Sequence, residues 1–268
     1  MSSIIALLTD FGTQDAYVGI MKGVIAGIAP QARIIDITHE IAPQDLGGAA
    51  YTLLCAYRYF PAGTIFCCVV DPGVGSARRA VAVQVRSPAG DDYVVVCPDN
   101  GLLTPVLEQA SATAAHALNE PRYQLRTVSA TFHGRDIFAP AAAHLAAGTG
   151  IAALGAAVAP AELVRMDWPQ PQRTRDGWLA HVIHIDRFGN LITNLAGGAL
   201  DAPGERWRVR LGDELRIDGI RGTFADTDIG APVAYVGSSG FLEVAVRNGS
   251  AQRAWGLGVG DTINVERA

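Results

Sequence analysis

The sequence has few charged residues and no excess of positive charge, which limits the partners it can bind. Only 18% of its 268 residues are charged, and the formal net charge at pH 7 is -5. Proteins that bind phosphate backbones need a basic surface, and this composition does not provide one. We therefore expect a small-molecule ligand and no nucleic acid.

Long hydrophobic runs are also absent. The longest apolar stretches, 65–70 and 93–97, have the length of strands and fall short of the roughly 20 residues that a membrane helix needs. The first residues, MSSIIALLTDFG, lack the basic segment of a signal peptide. Since 49% of the chain is hydrophobic, it can build a substantial core. These features predict a cytoplasmic protein with no membrane partner.

Cysteine is scarce, and its spacing indicates no metal site. The four cysteines are Cys55, Cys67, Cys68 and Cys97, and they lie in apolar runs without CxxC spacing or neighbouring histidine pairs. We interpret them as core thiols. Phosphate loops, dinucleotide-binding glycine motifs, HExxH and GxSxG are missing as well. The sequence therefore predicts no metal and no organic cofactor.

The first 168 residues alternate buried strands with helices, which is typical of an α/β domain. The predicted strands begin at residues 4, 34, 64, 80 and 93, and the predicted helices span residues 17–28 and 46–59. Asp10, Asp71 and Asp99 each follow a predicted strand. Because ligands bind at the carboxyl ends of strands in open α/β sheets, these residues lie at plausible binding positions. We expect a mainly parallel central sheet.

The pattern changes after residue 168. Residues 169–176 are polar, contain prolines and are predicted to be a linker. Residues 177–268 contain short β-rich segments separated by Gly, Asp and Asn turns, which is typical of a small barrel or sandwich. The prediction is a second, smaller β-barrel domain at 177–268.

Five polar clusters lie at predicted strand and helix ends. They read TDFGTQDAYVG, VVDPGVGSARR, CPDNGLL, TFHGRDIFAP and HIDRFGNLITN. Each has a simple structural explanation: Asp71 can stabilise a turn, Asp10 can cap a helix, and His133 can begin one. These explanations do not account for all five clusters together.

Together with YVGIMKG and the late SSGFLEVAVRNGSA, these motifs resemble the S-adenosylmethionine hydroxide adenosyltransferase family, which is related to fluorinating and chlorinating enzymes. The resemblance extends over nearly the whole chain. It implies an N-terminal α/β domain, a C-terminal β-barrel and hydrolysis of S-adenosylmethionine to adenosine and methionine. It also implies a homotrimer with active sites between subunits.

The resemblance assigns activation of water to Asp71, Arg78 and His133. The sulfonium of the substrate is already a leaving group, so the enzyme must mainly place an oxygen in line behind C5′. Asp71 is then the orienting group and proton acceptor, and Arg78 keeps it ionised. Whether water or hydroxide attacks stays open.

The substrate contacts come from the same resemblance. It places Asp10 on the ribose hydroxyls, Asn190 on the adenine edge and Phe224 on the adenine ring. The remaining predicted substrate-binding residues are Asp15 in the opening motif, Val246 beside the adenine, and Asp186, Ser238 and Glu243 at the methionine end.

The sequence differs from the halogenating enzymes that it resembles at Gln44 and Ser239. In those enzymes the resemblance implies a Trp and an Arg at these two positions. A carboxylate such as Asp71 beside the nucleophile would repel a halide, which favours water. Two alternatives remain, a halide-dependent C5′ transferase and a non-catalytic binder of an adenosyl ligand.

Overall fold

The computed structural model describes residues 3–200, 206–212 and 215–268. The chain divides into two compact units, Met1–Asp167 and Trp168–Ala268. Within the described ranges, no helix is both long and apolar enough to cross a membrane.

The first unit contains a six-stranded sheet with helices. Its elements are β1 (Ile4–Thr9), α1 (Tyr17–Ile28), β2 (Arg33–Thr38), α2 (Leu46–Ala56), β3 (Ile65–Val69), β4 (Ala80–Arg86), β5 (Asp92–Pro98), α3 (Thr104–Gln109), β6 (Ser111–Ala117) and α4 (Ala139–Ala146). The strand order is β2-β1-β3-β5-β4-β6. The first four strands in this order are parallel, and β4 and β6 are antiparallel to their neighbours at one edge. This sheet agrees with the predicted α/β class.

Strand register brings two of the polar clusters to one edge of this sheet. In the parallel pair of β1 and β3, Thr9 lies opposite Val69. Asp10 and Asp71 therefore follow neighbouring strands at the carboxyl edge. Alternate residues of both strands, such as Leu7 and Cys67, are buried against α1 and α4. That packing fixes the strands whose ends carry the polar side chains.

Helix α2 is shorter than the sequence pattern predicts. Asp45 caps its first turn, since the carboxylate accepts a hydrogen bond from the Gly48 N–H at 2.8 Å. Regular α-helix ends at Ala56, and a 3₁₀ turn, Tyr57–Tyr59, completes the predicted span. Among the four cysteines, all free, only Cys55 is partly exposed. Burial raises the pKa of Cys67 to about 12, as expected of a core thiol.

The second unit is a nearly closed antiparallel barrel. Its elements are β7 (Gln172–Arg173), β8 (Gly177–Ile185), β9 (Leu191–Ala196), β10 (Trp207–Leu211), β11 (Leu215–Asp218), β12 (Pro232–Val236), β13 (Phe241–Val246), α5 (Ala251–Trp255) and β14 (Thr262–Arg267). The order is β11-β10-β14-β8-β9-β13-β12, and a bridge between Arg221 and Tyr235 links the two ends. The predicted barrel is confirmed. The short strand β7, which pairs with β8, lies within the predicted linker.

Candidate active site

A cavity of about 580 Å³ opens at the carboxyl edge of the first sheet. We call it the N-terminal cavity. Asp10, Gln44, Asp71 and His133 line it together with aromatic side chains. The structure thus brings residues from three of the sequence clusters to one concave surface.

Arg78 joins Asp71 to His133. Its Nε donates to Asp71 Oδ1 at 2.9 Å, and its Nη2 donates to Asp71 Oδ2. The same Nη2 lies 2.7 Å from His133 Nδ1. Only 11% of the Arg78 side chain and 5% of the Asp71 side chain are exposed. A two-pronged, largely buried contact of this kind fixes the carboxylate plane.

The tautomer of His133 follows from this contact. Arginine has only donors, so Nδ1 must accept, and the proton of the neutral ring lies on Nε2. Burial, followed by the positive charge of Arg78, lowers the pKa of His133 below its ordinary value. His133 is therefore neutral at pH 7, and its Nδ1 lone pair is already in use.

Two loops must cross closely to form this cluster. Gly75, in the turn after Asp71, has a φ of +78°, and a Cβ there would lie 2.4 Å from the Ala130 carbonyl oxygen. Glycine is needed at this position because any other residue would be both strained and too close. The close approach places the DPGVG turn against the segment that leads to His133.

His133 directly precedes a π-helical turn, Gly134–Phe138. Such turns interrupt regular helices and often occur at functional sites. The turn is secured by Asp136, which is fully buried and accepts hydrogen bonds from Arg135 Nε at 2.6 Å and Ser129 N at 2.8 Å. Although burial raises the pKa of Asp136, these hydrogen bonds outweigh burial and its pKa is lowered. An ionised Asp136 thus holds the loop on both sides of His133.

Asp10 lines the same cavity. Its Oδ2 accepts a hydrogen bond from the Gln44 N–H at 2.8 Å, and Gln44 has a φ of +67°. Among the described residues, the other carboxylate oxygen has no hydrogen-bond donor, and it is available to a ligand hydroxyl. Asp15 is exposed and does not line this cavity, so its predicted role stays a prediction.

A second cavity, of about 700 Å³, lies in the barrel unit. We call it the C-terminal cavity. Asn190, Phe224 and Val246 line it, which places three predicted substrate-binding residues together. Phe224 is 39% exposed, and its ring packs on Tyr235 with centroids 4.5 Å apart. An exposed aromatic face supported from behind suits the stacking of a planar ring.

Asp186 lies behind Asn190 instead of facing this cavity. Asp186 Oδ1 accepts from the N–H groups of Phe188 and Asn190, both at 2.9 Å. Asp186 Oδ2 accepts from Asn190 Nδ2 at 2.8 Å. The side-chain amide of Asn190 is thereby oriented with Oδ1 available as an acceptor. The structure gives Asp186 an orienting role, and its contact with the methionine end stays a prediction.

The two other residues predicted at the methionine end differ in their solvent exposure. Ser238 is exposed, whereas Glu243 is only 9% exposed. Tyr235 Oη donates to Glu243 Oε2 at 2.6 Å, and Ser239 Oγ lies 3.4 Å from Oε1. Burial raises the pKa of Glu243 and the negative charge of Asp186 adds to the effect, despite these hydrogen bonds. Neither residue lines the C-terminal cavity.

Sequence reasoning missed the aromatic wall of the N-terminal cavity. The rings of Phe11, Tyr17 and Phe132 contact one another, with centroid distances of 5.1 to 5.9 Å. All three line the cavity and provide an apolar surface beside the charged cluster. All three lie within the polar clusters of the sequence analysis. Phe132, however, is more than 100 positions from Phe11 and Tyr17, so the sequence does not show that the rings are in contact.

Within the described ranges, no group of three or more His, Cys, Asp or Glu side chains is arranged to hold a metal ion.

Comparison with known proteins finds similarity along most of the chain. The family models for the N-terminal and C-terminal domains of SAM hydroxide adenosyltransferases match residues 5–155 and 180–264. A Thermus thermophilus protein named (R)-S-adenosyl-L-methionine hydrolase is 42% identical, over 96% of this chain and 97% of its own. A protein from an Actinoplanes species named fluorinase is 33% identical, over 99% and 98%. The crystal structure of an uncharacterized conserved protein from Thermotoga maritima superposes with a TM-score of 0.88 at 34% identity, over 97% of this chain and 99% of that one.

Proposed function

The chain belongs to the SAM hydroxide adenosyltransferase family, and on that basis we propose that it hydrolyses S-adenosyl-L-methionine to adenosine and L-methionine. The observation that carries the proposal is the Asp71–Arg78–His133 cluster at the N-terminal cavity. A fixed carboxylate on a concave surface is the feature that distinguishes a site for water from a simple adenosyl-binding surface.

The reaction is an in-line displacement at C5′. A water oxygen forms the new C5′–O bond while the C5′–S bond breaks, and the electron pair of that bond goes to sulfur. Methionine leaves as a neutral thioether, so no acid is needed for its departure. The reaction likewise requires no metal or organic cofactor. The enzyme's main task is to hold the water on the line opposite sulfur.

Asp71 receives the proton that water loses. Neutral His133 is a poor candidate, because Arg78 occupies its Nδ1 and its Nε2 already carries a proton. Each oxygen of Asp71 keeps a lone pair after accepting from Arg78. The guanidinium favours the ionised carboxylate, which makes Asp71 a weak base that orients water well and accepts the proton late.

Substrate recognition uses both cavities. Asp10 accepts from the ribose hydroxyls, Phe224 stacks on the adenine, and the free Oδ1 of Asn190 accepts from the adenine amino group. Each assignment rests on an available oxygen or an exposed ring in the structure. Asp186, Ser238 and Glu243 are kept as candidates for the methionine end, and Asp15 is kept as a candidate substrate contact.

The similarity to fluorinases makes halide transfer the rival activity. Asp71 argues against it, since a halide bound at the position of the water would lie beside a negative charge. Chloride and fluoride are therefore included in the test.

The experiment is an incubation of the purified protein with S-adenosyl-L-methionine in water enriched in heavy oxygen. We expect adenosine with the label in its 5′-hydroxyl, and methionine in equal amount. Both sulfonium epimers are tested separately, because the Thermus relative is named for the (R) form. Release of adenine, of methylthioadenosine or of a 5′-halogenated nucleoside would contradict the proposal.

We further propose a homotrimer in which residues of the first unit of one subunit and the second unit of the next form each site. Asp71→Asn subunits, which lack the proton acceptor, and Asn190→Ala subunits, which bind adenine weakly, are co-expressed with different tags and purified as mixed trimers. They are assayed at a low substrate concentration, at which each variant alone is inactive. A closed three-membered ring of both types contains one intact pairing, so about one third of the sites should be active. Mixed trimers without activity would contradict the shared site while leaving the labelling result unaffected.

A further inference from the structure

A buried histidine outside both cavities contacts the turn that carries Asp10. His39 directly follows β2, is 5% exposed and lies beside Thr9, the last residue of β1, which is fully buried. The Thr9 Oγ1 and His39 Nδ1 atoms are 2.8 Å apart. No motif of the sequence analysis includes His39, and neither the water-activating cluster nor the substrate contacts use it.

His39 also holds the turn through its backbone. The Gly12 N–H donates to the His39 carbonyl at 2.8 Å, and the Phe11 N–H donates to Thr9 Oγ1 at 3.3 Å. Residues 9–12 are therefore tied to His39 at both ends of the turn. Asp10 lies between these two attachments.

On its other side, His39 faces a charged pair. His39 Nε2 lies 3.1 Å from Asp36 Oδ1, and Lys22 Nζ lies 2.6 Å from Asp36 Oδ2. The Nε2 contact has the distance of an ion pair, but its N–H direction falls outside hydrogen-bond geometry. Although burial raises the pKa of Asp36, its contacts with Lys22 and His39 outweigh burial and its pKa is lowered. The carboxylate is thus ionised and favours a proton on Nε2.

This arrangement orients the threonine hydroxyl. With the ring proton on Nε2, Nδ1 is an acceptor and the Thr9 O–H must donate to it. The lone pairs of Thr9 Oγ1 then face the Phe11 N–H. The hydrogen bonds run in one direction from the Asp10 turn to the His39 ring, whose Nε2 faces the Asp36 carboxylate, and such chains are more rigid than their separate members.

We infer that His39 is a positioning residue for ribose recognition, acting through Thr9 to hold the carboxylate of Asp10 in place for the ribose hydroxyls. The inference rests on the proposed contact between Asp10 and the ribose. Asp10 needs such support because, within the described part of the chain, its carboxylate accepts a hydrogen bond only from the backbone of Gln44 in another loop. A small rotation of the 9–12 turn would move the carboxylate away from a ligand hydroxyl.

The test compares the affinities of adenosine and 2′,3′-dideoxyadenosine, which lacks both ribose hydroxyls. Dissociation constants are measured by titration calorimetry for the wild type, Thr9→Val, Thr9→Ser and His39→Leu. Thr9→Val is the most informative variant because it removes the hydroxyl with little change of shape. His116→Ala is the matched control, since His116 also bonds through Nδ1, to the Gly155 carbonyl at 3.0 Å, on the edge strand β6 of the same sheet.

We expect the wild type and His116→Ala to prefer adenosine by about tenfold or more, the effect of a hydrogen bond to a charged group. Thr9→Val and His39→Leu should lose most of this preference while binding the dideoxy compound with unchanged affinity, and Thr9→Ser should restore it. An equal loss of affinity for both ligands, or an unchanged preference for adenosine in Thr9→Val, would overturn this inference without contradicting the ribose contact of Asp10. A wild type without preference would overturn the ribose contact as well, whereas the labelling experiment tests hydrolysis independently.

Discussion

In the N-terminal cavity, Asp71 is locked to Arg78 and also lines the open space, whereas in the barrel unit Asp186 lies behind Asn190 and does not line the C-terminal cavity. Both aspartates accept several hydrogen bonds. Only the first lines a cavity with its own carboxylate, and the second orients an amide that lines one. Position relative to the cavity, rather than residue type, thus separates a group suited to chemistry from one suited to recognition.

Asp71→Asn is the strongest test of this contrast. The substitution keeps the shape of the side chain and removes its charge. We expect the hydrolysis rate to fall by about 10² to 10⁴-fold, the usual loss for a positioned proton acceptor. Adenosine affinity should change much less. Single-turnover rates and adenosine titrations measure the two effects separately.

Asp99→Asn is the matched control for this variant. Asp99 accepts from Arg79 Nε at 2.8 Å and from Val164 N at 2.8 Å, and its side chain is 3% exposed. It does not line the N-terminal cavity. We expect a lower melting temperature with a rate within a few-fold of the wild type. Similar rate losses in Asp99→Asn and Asp71→Asn would show that buried Asp–Arg pairs act only through stability here.

The sequence predicts the elements of the fold better than the geometry of the site. Strand ends followed by Asp10 and Asp71 are visible in local patterns, because β1 and β3 are short apolar runs that stop at polar residues. The start of α2 follows from Asp45 and the apolar residues after it, whereas its end does not. Local chemistry suffices for features of this kind.

The contacts inside the cavities connect distant parts of the chain. Arg78 and His133 are 55 residues apart, and Asp10 and Gln44 are 34 apart. No periodicity encodes such pairs. The family resemblance supplied the water-activating cluster and singled out the position of Gln44, but neither the contact of Gln44 with Asp10 nor the role of His39 was predicted. The role of Asp186 differs from its predicted one for a related reason. The Asp186 carboxylate accepts hydrogen bonds from Asn190, four residues later in the same tight turn. A sequence motif shows the charge of Asp186 but not these contacts.

Asp186→Asn applies the same chemical change to the barrel unit, and we expect a smaller effect of a different kind. The new side-chain oxygen must stay where Oδ1 is, because the N–H groups of Phe188 and Asn190 require an acceptor there. The new Nδ2 then faces Asn190 and cannot accept from its amide. Asn190 must turn its own oxygen toward residue 186 and present N–H groups to the C-terminal cavity. A ligand with an amino group at C6 loses its acceptor, while one with a carbonyl there gains a donor.

The measurement is the ratio of adenosine to inosine affinity, together with the turnover rate on S-adenosyl-L-methionine at saturation. The ratio should shift toward inosine by about tenfold, the worth of one exchanged hydrogen bond, while the turnover rate stays within a few-fold. Asn190→Ala should lower the ratio without favouring inosine, because it leaves neither donor nor acceptor.

Asp218→Asn serves as the control, since Asp218 pairs with Arg208 at 2.7 Å and does not line this cavity. An unchanged ratio in Asp186→Asn would mean that Asn190 does not read the base. A rate loss as large as that of Asp71→Asn would erase the distinction between the two aspartates, because it would place Asp186 in the chemical step.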